Sequence, residues 1–154
     1  MIVYAIPTVE DIKYLSERLD PVDIEEIVTS SGSADIFDEL LGAWKISDVC
    51  HIVKQDGDPI GIFGLAESPD NPLEGFPWGF FTDNFRDIPA KLLRDSKVQI
   101  EFWRHLYDRL IVFVHSENHR SIRYLEWLGF VHTGTVIPGL KNSSFKEYVR
   151  CATL

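Results

Sequence analysis

Apolar and polar positions along the 154 residues change period several times, and each change marks an element. Residues 2–6, IVYAI, form a short apolar run rich in β-formers and stopped by Pro7, which predicts a first strand. Thr8, with Asp11 three residues on, reads as a capping box, and Ile12, Leu15 and Leu19 follow at helical spacing. Asp20 and Pro21 restart that pattern through Ile24, Ile27 and Val28 until the polar break at residues 30–33. A third, short helix is expected over residues 35–41. Alternation sets in near Asp48, meets Asp56-Gly57, the signal for a tight hairpin, and returns over residues 59–66. Residues 68–77 contain three prolines and read as loop, ahead of a strand at residues 78–82, WGFFT. From about residue 89 to residue 110, the spacing of Val98, Phe102, Leu106 and Leu110, reinforced by Trp103, predicts the longest helix. Residues 110–114, LIVFV, are continuously apolar, as in a central strand covered on both faces. A helix over residues 119–128 is expected to be capped by Asn118, to bury Ile122, Leu125 and Leu128, and to stop at Gly129. Two strands, about residues 130–137 and 145–152, close the chain around a Pro138-Gly139 turn.

This order of elements makes a mixed α/β protein, expected as one domain spanning residues 1–154. A chain of this length buries about 70% of its unfolded surface, enough for a core. No apolar run approaches the roughly 20 residues of a membrane span. The N-terminus lacks the basic region of a secretory signal, so a cytoplasmic protein is expected. Cys50 and Cys151 stand far apart, outside any CxxC or Cys/His spacing, which argues against a disulfide framework and a zinc site; buried thiols and no metal are expected. The net charge of −9 is unevenly spread, for residues 1–40 hold ten acids against Lys13 and Arg18. The remainder holds 14 acids and 13 bases and offers no basic stripe for nucleic acid.

One segment carries a sharper signal. Residues 118–130, NHRSIRYLEWLGF, resemble a segment of the GNAT N-acetyltransferases: an Asn, a short amphipathic helix with a small residue and an aliphatic near its start, then Gly-Phe opening a strand. Here these are Asn118, Ser121, Ile122, Gly129 and Phe130. The hairpin HIVKQDGDPIGIFGL is a second, weaker match. The resemblance implies a central mixed sheet of about six or seven strands with helices on both faces. It also implies acetyl-CoA as cofactor, held in a split between the fourth and fifth strands with its pyrophosphate at the N-terminus of the helix after the fourth strand. Helix N-termini suit anions because their N–H groups are free and their dipole end is positive.

Two departures from the family pattern touch the chemistry. The family's glycine-rich phosphate loop should follow WGFFT, yet the chain reads TDNFRDIPAKLLRDSK and has no glycine between Gly79 and Gly129. Side chains there hinder a backbone cradle, and Asp83 and Asp87 carry the wrong sign; Arg86, Lys91 and Arg94 are the cations that could neutralise a pyrophosphate. Many family members place a Tyr seven residues after the Asn, to protonate the leaving thiolate. Here that position is Leu125, and Tyr124, one residue away, is turned about 100° around the helix, where packing against the sheet is expected. Among cofactor-binding candidates Asn118 joins Arg86 and Lys91; among acid–base candidates His115, at the end of the predicted fifth strand, joins Tyr124 and, more remotely, His51.

Two functions therefore compete. One is an acetyl-CoA-dependent N-acetyltransferase, whose acidic N-terminal helices attract an amine or a basic protein. The other is a GNAT-fold protein without CoA chemistry that binds a host or virion protein. The glycine-free loop and Leu125 are similar to small phage-encoded GNAT-like proteins, including a podophage internal virion protein family, which would place the chain in a bacterial host cytoplasm or a virion.

Overall fold

The computed structural model describes residues 1–83 and 88–152. The elements run β1 (Ile2–Ala5), α1 (Val9–Ser16), α2 (Pro21–Ser31), α3 (Ile36–Ile46), β2 (Val49–Gln55), β3 (Asp58–Glu67), β4 (Glu74–Phe81), α4 (Ala90–Leu106), β5 (Arg109–His115), α5 (His119–Trp127), β6 (Val131–Pro138) and β7 (Ser144–Cys151). Hydrogen bonding links the strands in the order β1-β2-β3-β4-β5-β7-β6, a seven-stranded sheet. It is mixed: β1 with β2, β2 with β3, β5 with β7 and β6 with β7 are antiparallel, whereas β4 and β5 are parallel. The chain forms two compact units: Met1–Ala66 with Trp78–Pro89, and Glu67–Pro77 with Ala90–Leu154.

In the first unit, local chemistry sets the helix starts. Thr8 and Asp11 form the expected capping box, with Asp11 N–H donating to Thr8 Oγ1 at 3.1 Å and Thr8 N–H to Asp11 Oδ2 at 3.2 Å. Asp20 caps α2 by accepting from Val22 N–H, with Pro21 opening the helix, and Asp35 caps α3 by accepting from Asp38 N–H. The predicted third helix stops too early. It runs through Gly42 to Ile46 because Trp44 packs on the core, which outweighs the weak helix propensity of one glycine. Ile12, Leu15, Leu40, Ile52 and Ile62 are buried in that core, each worth about 1.5–3 kcal/mol of apolar transfer. Asp56 and Gly57 turn the β2–β3 hairpin at φ 51° and 92°, as the Asp-Gly signal predicts.

In the second unit, α4 ends at Leu106, four residues before the expected end. Asp108 and Arg109 N–H both donate to Leu73 O, which draws the chain into β5. The buried side of α4 carries Leu92, Ile100 and Trp103, whereas Val98, Phe102 and Leu106, the expected stripe, are 70%, 59% and 59% exposed. β4 starts at Glu74 and not at residue 78: the prolines made the segment read as loop, but Glu74 and Gly75 pair with Arg109 and Leu110 of β5. β5 is buried at Leu110, Ile111 and Val114, as expected, but opens at Phe113, which is 39% exposed. The helix after β5 conforms, with Ile122, Leu125 and Leu128 all buried and Gly129 at φ 94° beyond its end. That glycine also lies against Arg150, where an added Cβ would come within 2.8 Å of Nε.

Candidate functional site

The second unit contains Lys91, Arg94, His115, Asn118 and Tyr124. Asn118 is 1% exposed and caps α5: its Oδ1 accepts from Ser121 N–H at 3.2 Å, and its N–H donates to His115 O at 2.9 Å. Asn118 thus joins the end of β5 to α5 and turns His115 into the same corner. The His115 ring is buried, edge-on to Phe145 with centroids 5.5 Å apart, and Nδ1 accepts from Glu117 N–H at 3.1 Å. That bond leaves the ring proton of neutral His115 on Nε2. As a base, the imidazole therefore has its lone pair engaged by the backbone.

Tyr124 is tied to α4 through its hydroxyl. Its hydroxyl donates to Ser96 Oγ on α4, and Ser96 Oγ–H donates in turn to Leu92 O at 2.7 Å. This chain of hydrogen bonds ends on a backbone carbonyl and contains no base. Burial pushes the Tyr124 phenol above its ordinary value, with the Ser96 bond opposing. Leu125, at the family's tyrosine position, is 8% exposed and belongs to the buried face of α5, so no acid stands there.

Lys91 lies in the first turn of α4, where its Nζ pairs with Asp95 Oδ2 at 2.6 Å. That turn contains no acidic residue, so a cation sits at the positive end of the helix dipole, against the usual preference and in keeping with an anion there. Arg94 is exposed on the same helix. Arg86 lies outside the described residues.

The first unit contains an arrangement that sequence reasoning missed. Asp23 is 3% exposed, and its Oδ2 accepts from Phe81 N–H at 2.9 Å. Beside it, Asp20 N–H donates to Phe81 O, Thr82 N–H to Ile60 O and Asp83 N–H to Arg18 O. The end of β4 is thus bound by the turn between α1 and α2, and Phe81 N–H is already engaged. Nothing in the sequence distinguished Asp23 from the other acids of its block. In the same unit, His51 stacks on Phe63 at 5.5 Å, with Nδ1 buried and without a hydrogen-bond partner among the described residues. Also missed was Glu101 on α4, which accepts from Arg104 Nε and from Arg150 Nη2, each at 2.7 Å. The Arg104 bond, foremost, holds its carboxyl below the ordinary range. Among the described residues no group of three or more His, Cys, Asp or Glu is placed to bind a metal, and no helix is long and apolar enough to cross a membrane.

No family model and no curated protein matches the sequence. Solved structures do match the fold over nearly its whole length. The protein yncA of Salmonella typhimurium, assigned as an acetyltransferase and solved with its cofactor acetyl-CoA, aligns with a TM-score of 0.74 at 12% identity, covering 100% of this chain and 95% of that one. A GNAT-family acetyltransferase of Bacillus anthracis gives 0.73 at 13% identity, covering 98% and 95%. The aminoglycoside acetyltransferase AAC(6')-Ib, in complex with coenzyme A, gives 0.68 at 16% identity, also covering 98% and 95%. The chain therefore has the fold of the GNAT acetyltransferases.

Proposed function

We propose that the protein is an acyl-CoA-dependent N-acetyltransferase acting on an amine acceptor. The observation that carries this reading is the near full-length likeness to acetyltransferases, two of them solved with acetyl-CoA or coenzyme A. The first turn of α4 fits the charge of a pyrophosphate, since it combines the positive end of the helix dipole, no acidic residue and Lys91. When bound, acetyl-CoA supplies an activated thioester for direct transfer of the acetyl group to the amine. The acids of α1 and α2 attract the cationic acceptor. His115 and Tyr124 are the nearest approach to an acid–base pair, but the His115 lone pair and the Tyr124 proton are both engaged, so proton transfer through water is the favoured route.

Calorimetric titration with acetyl-CoA tests the cofactor: micromolar binding is expected, and no heat at millimolar concentration would sink the reading. If binding occurs, Arg86→Ala and Lys91→Ala should each weaken it; unchanged affinity would mean the phosphates lie elsewhere.

A second reading is favoured by the bond from Phe81 N–H to Asp23, which withdraws a fourth-strand backbone donor from thioester chemistry. On that reading the chain is a GNAT-fold binding protein, related to phage-encoded forms, whose partner is a host or virion protein. A pull-down from a host lysate should then lose its partner when the acids of α1 and α2 are neutralised, and retention would refute that interface.

A further inference from the structure

The α4 helix is apolar on two sides. One side, with Leu92, Ile100 and Trp103, is buried, while the other presents Val98, Phe102 and Leu106 to solvent at four-residue spacing, which aligns them in one stripe. Around the stripe stand Arg94 and Lys97, both exposed, with Lys97 Nζ 4.2 Å from the centre of the Trp127 ring, itself 44% exposed. No acid on α4 is exposed to the same degree, because Asp95 and Glu101 are half-buried and paired with Lys91 and with Arg104 and Arg150. The surface is thus an apolar seam with a positive border, on a chain whose net charge is −9. An exposed apolar stripe of this kind is uncommon on a monomer unless something covers it.

We propose that this face docks the N-terminal helices of a second copy of the chain. Charge selects the occupant. Pairing α4 with α4 across a two-fold axis would set Arg94 and Lys97 against their own kind. The N-terminal region has the complementary character: ten acids against two bases over residues 1–40, with Glu10 and Glu25 exposed, whereas Glu17 pairs with Lys13 and Arg18. It also presents apolar side chains beside those acids, since Val9 and Val22 are 53% and 43% exposed at the starts of α1 and α2. Val9 and Val22 meet the seam, and the glutamates meet Arg94 and Lys97. The contact joins two different patches, so it is heterologous and adds copies head to tail unless a ring closes.

Sedimentation of the full chain from about 1 µM to about 500 µM tests the proposal. At about 20 mM salt, mass should rise with concentration beyond the monomer, and about 500 mM salt should weaken association at least about tenfold. Arg94→Glu with Lys97→Glu should be monomeric, as should Glu10→Lys with Glu25→Lys, each with an unchanged circular dichroism spectrum. Mixing these two variants should restore association, because each then offers the other complementary patches. A chain that stays monomeric at every concentration in low salt overturns the proposal. So does association that the N-terminal variant leaves intact, or a mixture that fails to recover.

Discussion

At the scale of the residue, burial governs reactivity as much as identity does. Cys50 lies half-buried against the core of the first unit, and burial pushes its thiol up to about 11. Only about a thousandth of it is thiolate at pH 8, against roughly a quarter for an ordinary thiol. In a Cys151→Ser background, a disulfide reagent should therefore label Cys50 at least about tenfold more slowly than a free peptide thiol, the greater nucleophilicity of a more basic thiolate offsetting part of its scarcity, with the rate rising about tenfold per pH unit up to about pH 10. Rapid labelling at pH 8 would contradict this account. The same dependence on surroundings limits what a sequence discloses about a site. Asn118 was legible because capping is a local bond to Ser121 N–H. Tyr124 was not, because its partner Ser96 is 28 residues away in sequence and on another helix. Asp23 was hidden for the same reason: its acceptor role toward Phe81 N–H spans 58 residues.

At the scale of the element, capping and turn signals located what is local, and the choice between two apolar faces of one helix was not local. In α4, Val98, Phe102 and Leu106 form the more regular stripe, yet Ile100 and Trp103 are the side chains that pack. Periodicity reports that a helix has an apolar face; only the neighbours determine which face is covered. Urea unfolding at low protein concentration separates the two faces. Ile100→Ala should lower stability by about 2–4 kcal/mol, whereas Val98→Ala and Phe102→Ala should each stay within about 0.5 kcal/mol. Equal losses on both faces would show that the exposed stripe is covered in the monomer. The β4 strand makes the companion point. Its Pro77 and two glycines point to loop, and its first pairs exist only because Arg109 and Leu110 lie beside it.

At the scale of the whole molecule, the order of elements and the segment over residues 118–130 together reached the fold, within which the chain forms two compact units. The first unit takes its last strand residues from beyond residues that belong to the second. Phe80 and Trp78 pack on the first unit's core, Trp78 Nε1 donates to Ser47 Oγ at 2.7 Å, and the Trp78 ring lies so close to Gly64 that a Cβ there would overlap it. A fragment ending at Ala66 lacks all of these contacts. It should show helical circular dichroism without a cooperative urea transition, and a sharp transition would mean that residues 1–66 are self-sufficient. On the ribosome, the consequence is one of timing. Residues 1–66 must wait, with Gly64 and the Ser47 hydroxyl uncovered by Trp78, while a stretch destined for the other unit is synthesised. Only then does Trp78 leave the exit tunnel and close the first unit, so its maturation trails the synthesis of its first 66 residues by at least the stretch that the other unit claims.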